Sequence, residues 1–185
     1  FIKNVLSCIS NTTSVLIFAA IAATGITEFS LFLFRRVVMG SLKDKLLEPQ
    51  MRSVVVEDCV KLVDNEVASK SGITGVVIKT GYKAFKALKP TIVKEAVEHL
   101  LNDFVNVLDK YFDNFKASGS SSFERWVLPK DAALANDLLK ITDDIMARSD
   151  KTALKKIYNG LRKIAEKNVT QAVPGIAALV EKHMN

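Results

Sequence analysis

Cysteine, histidine and tryptophan are nearly absent from this chain of 185 residues, which holds two, two and one of them. Cys8 and Cys59 cannot build a disulfide framework, so both read as free thiols. Cys59 falls inside an apolar helical pattern, where a buried and inert thiol is the plain reading. His99 and His183 share no metal-ligand spacing with either cysteine, and no His-Glu-x-x-His is present. No metal and no cofactor are therefore expected. The glycine-bearing stretch "SGITGVVIKTG" lacks the spacings of both phosphate-binding loops. Carboxylate neighbours such as Asp143–Asp144 and Glu57–Asp58 diverge around a helix, so they do not form an acid/base pair. Nothing places a Ser or Cys nucleophile beside a base, and the chain reads as a non-enzyme. With only 8 glycines and 4 prolines, a loop-rich β fold is excluded too. No window alternates strictly between apolar and polar, so no sheet is expected.

What the chain does have is apolar content, 49%, set against 25% charged residues, which is a globular balance. Much of it is concentrated at the start. Residues 4–27 carry no formal charge, and from Val15 to Phe34 the one charge is Glu28. A helix of that length spans about 30 Å, the thickness of a bilayer core. Val15, Leu16, Ile17, Phe18, Leu31, Phe32, Leu33 and Phe34 are the candidate membrane-facing residues, with the span placed at 13–34. Arg35 and Arg36 follow at once, which orients the remainder toward the cytoplasm, or toward a stroma or matrix. Glu28 opposes a span unless it is paired or protonated. Residues 1–38 thus form an apolar extension and candidate anchor, and 39–185 a separate domain. "MGSLKDKLLEP" reads as the opening of that domain, with Ser41 as an N-cap. If the extension is not native to the protein, the assignment becomes cytoplasmic.

From residue 50 the apolar period is helical throughout. Val56, Cys59, Val60, Val63 and Val67 form one stripe, and Gly72 fits a stop signal. Ile78, Tyr82 and Phe85 make an apolar face opposite Lys79, Lys83 and Lys86. Pro90 suits the opening of a helix over 91–116, the longest pattern and the expected centre of the bundle. Ser121 and Glu124 match a capping box. Two further helices follow, and Pro174 starts a last short one, "PGIAALVEKHM". The expected fold is all-α, a five- or six-helix antiparallel bundle preceded by the apolar helix.

Net charge is +6. Between Glu66 and Glu95 there are six lysines and no acid. A second acid-free run lies between Asp150 and Glu166 and includes Lys155 and Lys156. Lys79, Lys83, Lys86, Lys155 and Lys156 are candidate contacts to an anionic surface. The plainer alternative is a solvated face paired with the acidic face of the following helix, which carries Glu95, Glu98 and Asp103. Nucleic acid is disfavoured, because Tyr82 and Phe85 fall on the apolar side rather than among the lysines. Trp126, with Phe123, is a candidate partner contact after the serine run, or else a lid packed on the bundle.

The stretch "SLKDKLLEPQMRSVVVEDCVKLVDNEVASKSGITGVVIKTGYKAFKALKP" and the tail "AVPGIAALVEKHM" resemble a family of small uncharacterised proteins common in actinobacteria, over about residues 41–185. The resemblance implies an all-helical soluble domain and brings no activity, cofactor or site residue. The leading expectation is a non-enzymatic helical interaction or accessory module. It would be held at membrane lipid by residues 13–34 and would contact other subunits of a membrane complex. The alternative is a soluble helical domain with a cavity for an apolar small ligand. An enzyme of unknown class ranks third.

Overall fold

The computed structural model describes residues 41–184. The extension 1–38, the candidate span within it and the Met39 start lie outside the described residues. Among the described residues no helix is long and apolar enough to cross a membrane.

All regular structure in this region is helical: α1 (Leu42–Leu46), α2 (Pro49–Ser69), α3 (Gly72–Leu88), α4 (Ile92–Ser118), α5 (Phe123–Val127), α6 (Asp131–Arg148) and α7 (Thr152–Met184). A single 3-10 turn, Leu128–Lys130, joins α5 to α6. Five of the helices are long, as the periodicity requires, and α1 and α5 are five-residue pieces that each bury two apolar side chains.

The starts and stops follow local chemistry. Ser41 caps α1, its hydroxyl accepting from the Asp44 N–H at 3.0 Å. Lys89 is extended, as a residue before proline should be. Pro90 stays in the turn, and Thr91 holds the N-cap position of α4 with its hydroxyl turned to Glu95 at 2.6 Å. Gly119 ends α4 in the left-handed region at φ 72°, where a Cβ is costly. Gly72 does not stop α2, which ends at Ser69; instead it opens α3 at φ 66°. The expected capping box at Ser121 is displaced by one residue. Ser122 caps α5, accepting from the Arg125 N–H at 3.3 Å, and the carboxylate at this helix start is Glu181 from α7, which accepts from the Ser122 hydroxyl at 3.0 Å and the Glu124 N–H at 3.1 Å.

The largest departure is at Pro174. No helix starts there: α7 runs unbroken from Thr152 to Met184 with the proline inside it. A proline in a helix interior costs about 3 kcal/mol. Val173, Ala177 and Val180 continue one buried stripe through it, and that packing outweighs the local cost. Gly175 beside it lets α2 approach closely, since a Cβ there would lie 2.7 Å from Leu62 Cδ1.

The core draws on α1 (Leu42, Leu46), α2 (Val55, Val56), α4 (Leu101, Val105, Leu108, Phe112), α5 (Phe123, Val127), α6 (Leu134, Leu138) and α7 (Val173, Ala177, Val180). Helix α3 contributes no side chain to it. It rides on the bundle through half-buried Ile78, Tyr82 and Phe85. Its Gly81 packs directly on α7, where a Cβ would meet Leu161 Cδ2 at 2.7 Å.

Candidate functional site

A 17-residue helix can sit at the edge of a bundle and still show apolar residues on both sides. Helix α3 does. At 3.6 residues per turn, Ile78, Gly81, Tyr82 and Phe85 face the body. A second set, Ile73, Val76, Val77 and Leu88, follows i, i+3, i+4, i+15 on the outer side, with exposed Thr80 and half-buried Ala84 between them. Ile73 is 89% exposed, Val76 65%, Leu88 47% and Val77 43%. Scattered exposed apolar residues are ordinary, but four along one arc of one helix form a patch.

The lysines border this arc. Lys79 and Lys83 are exposed, and neither makes a hydrogen bond or ion pair among the described residues. Lys86 is turned back: its ammonium lies 3.1 Å from Asp64 Oδ1 and 4.6 Å from the Tyr82 ring centre. Tyr82 donates to the same carboxylate at 2.6 Å. The Tyr82 hydroxyl and then Lys86 hold the Asp64 carboxyl below its usual range. The pairing with the acidic face of α4 that the lysine spacing suggests is not what forms. Lys86 goes to α2, and along α4 only Glu95 receives a lysine from this segment, Lys89.

Helix α3 and the first turns of α7 run side by side, and both α3 and residues 152–165 of α7 are acid-free. In α7, Lys156 is exposed, while Lys155 bends back so that its ammonium donates to the Ala147 carbonyl at 3.3 Å. Arg162 is committed to Asp143, which also accepts from Tyr158 at 2.7 Å.

Where α3 starts, a recess of about 310 Å³ is lined by Ser69, Lys70, Ser71, Thr74, Gly75, Lys167, Asn168 and Gln171. Its polar wall does not suit an apolar ligand. Lys70 in it is already held by Glu66 at 3.0 Å and Gln171 at 3.2 Å.

Trp126 and Phe123 stand at the opposite kind of site. Phe123 is 1% exposed and sits among Phe112 and Phe115, each with its ring centre 5.5 Å away. It therefore belongs to the core, not to a partner surface, because α5 folds under as a lid. Trp126 packs on Phe115 and Phe123, and Lys130 covers its ring at 3.8 Å.

A third polar cluster joins α2 to the end of α7. His183 Nε2 lies 3.1 Å from Asp58 Oδ2, with its side chain almost fully buried, and Lys182 reaches the same oxygen. The Lys182 ammonium lowers the Asp58 pKa most, with His183 adding to it. Next to it, burial and then the Asp58 charge push the Cys59 thiol up to about 11, so it is held protonated. Sequence reasoning did not single out this contact, since its partners lie more than a hundred residues apart. Among the described residues no group of acids, histidines and cysteines could hold a metal ion.

Fold and surface together define an all-α bundle with one helix laid over its outside. The chain belongs to a family of unknown function (DUF6918), whose model matches residues 42–184. No curated protein matches it, and no solved structure does.

Proposed function

We propose that the domain is a non-enzymatic helical interaction module, an accessory domain whose working surface is the outer arc of α3. One observation carries this: Ile73 and Val76 stand in water at 89% and 65% exposure on a helix that gives nothing to the core. A helix without a core role, and with its second apolar face open, is arranged for contact. The polar clusters support the same reading. Asp58, Asp64 and Asp143 each close on cationic or hydroxyl partners of the bundle, so their charges serve to join helices. The anchor inferred at residues 13–34 is the other half of this reading, and it rests on hydropathy and flanking charge alone.

The test is a photo-crosslinking side chain placed at Val76 in the full chain, with one at exposed Glu98 on α4 as the comparison. Adducts formed in cells at Val76 and not at Glu98 are the expected result. Equal yields at both, or none at Val76, would sink the proposal.

A further inference from the structure

We infer that the occupant of the α3 arc is the surface of an anionic lipid bilayer, with the helix lying in the interfacial plane; this rests on the reading of α3 as the working surface. Charge complementarity argues for it. Helix α3 contains no acid along its whole length, and Lys79 and Lys83, bordering the apolar arc, have no partner among the described residues. The neighbouring stretch of α7, residues 152–165, is acid-free as well, and Asp64 of α2 is taken up by Tyr82 and Lys86, so positive charge predominates around the arc. An apolar stripe bordered by unpaired lysines is the composition that seats a helix among acidic headgroups.

The arc fits other occupants less well. Protein hot spots are built on Trp, Tyr and Arg. Here the aromatic residues of α3, Tyr82 and Phe85, face the body, and the arc shows aliphatic side chains and Thr80 but no aromatic one. A second copy pairing through α3 would bring no carboxylate on that helix for Lys79 and Lys83 to meet.

Hydroxyl-radical footprinting of the full chain reads the contact locally, whatever the extension does. Oxidation of Ile73, Val76 and Leu88 is followed by mass spectrometry without vesicles, with phosphatidylcholine vesicles, and with vesicles containing phosphatidylglycerol. The expected result is several-fold protection with the anionic vesicles alone, reversed by high salt and by Lys79→Glu with Lys83→Glu. Both lysines are exposed, so that variant should fold, and circular dichroism checks it. Equal protection on neutral vesicles overturns the anionic assignment and leaves an apolar docking face. Protection without vesicles that grows with protein concentration means a second copy, which overturns the lipid and keeps the interaction module. Protection that is present without vesicles and independent of dilution means the chain covers its own arc, and both readings fall. Full reactivity under every condition overturns the lipid and leaves the interaction module to the crosslinking at Val76.

Discussion

Replacing Ile73 and Val76 by serine separates folding from contact. The two side chains expose 89% and 65% of their surface, so the folded bundle loses little when they shrink. Isoleucine, valine and serine have similar helix propensities, and exposed substitutions usually change stability by no more than about 0.5 kcal/mol. Contact is a different matter. Full burial of such a side chain is worth about 1.5–3 kcal/mol. Covering the exposed parts of this pair therefore contributes roughly 2–4 kcal/mol, or about 30-fold or more in affinity. If the helix settles only half as deep, about fivefold remains. Urea unfolding followed by circular dichroism gives the first quantity, and the amount of phosphatidylglycerol vesicle that half-protects Leu88 from hydroxyl-radical oxidation gives the second. Unchanged unfolding with weakened protection is expected. A stability loss above about 2 kcal/mol would refute the reasoning, because it would mean these side chains are packed against something. Unchanged unfolding with undiminished protection of Leu88 would refute it from the other side.

The same magnitudes limit what α3 can do alone. Ile73, Val76, Val77 and Leu88 together expose the equivalent of about two and a half apolar side chains, worth roughly 4–7 kcal/mol if fully covered. Two lysines at an anionic surface add about 1 kcal/mol each. That is comparable to one acyl chain, which binds membranes only reversibly. Helix α3 thus suits reversible, salt-sensitive apposition, and a lasting attachment requires a second element.

The bundle makes its own predictions. Phe123→Ala should cost about 3–5 kcal/mol in urea unfolding, since the ring is 1% exposed within the aromatic cluster. Gly75→Ala should lower the melting temperature, because a Cβ there would sit 2.7 Å from the Lys70 backbone; the clash, about 1–3 kcal/mol, exceeds the helix-propensity gain of about 1 kcal/mol. Gly160→Ala is the opposite case, with open space around it, and should raise the melting temperature. In a Cys8→Ser chain, Cys59 should react slowly with a thiol reagent at pH 8, about 0.1% being thiolate at a pKa of about 11, and fast once unfolded. Stability should hold above about pH 5 and fall below about pH 4. Asp58, Asp64, Asp143 and Glu181 are all depressed in the fold, so their contribution is present above the unfolded pKa and lost as pH falls through the folded one. At the alkaline end Tyr111, raised to about 12 by burial and by its bond to Asp137, contributes stability that is lost as pH climbs from about 10 toward 12. A flat denaturation curve across pH 3–7 would contradict the acid limb.

Much of the architecture was legible because it depends on period. The stripe through Leu101, Val105, Leu108 and Phe112 defined α4 to within two residues at either end. What failed were signals whose outcome depends on distant packing. Pro174 is a helix-start signal in isolation, but the buried stripe of Val173, Ala177 and Val180 continues across it, and no local rule weighs those two terms. Ser122 displaced Ser121 as the cap because Glu181, from the other end of the chain, supplies the carboxylate. Burial of Phe123 depends likewise on Phe112 and Phe115, with which the linker lets α5 fold back and pack.

The α3 surface shows why a site can be half visible. The sequence divides α3 into an apolar face, Ile78, Tyr82 and Phe85, and a basic face, Lys79, Lys83 and Lys86, which looks like a complete amphipathic helix. That division leaves Ile73, Val76, Val77 and Leu88 unassigned, because an apolar residue is assumed to face inward and two inward faces cannot coexist on one helix at a bundle edge. The structure resolves this through size. Gly81 lets α3 lie close on α7, since a Cβ there would meet Leu161 Cδ2 at 2.7 Å. A helix held that tightly along one side turns the apolar residues opposite outward. Gly81 therefore helps determine where the exposed arc lies. Gly81→Leu should push α3 away from Leu161 and disturb contact at the arc, without altering any residue in it.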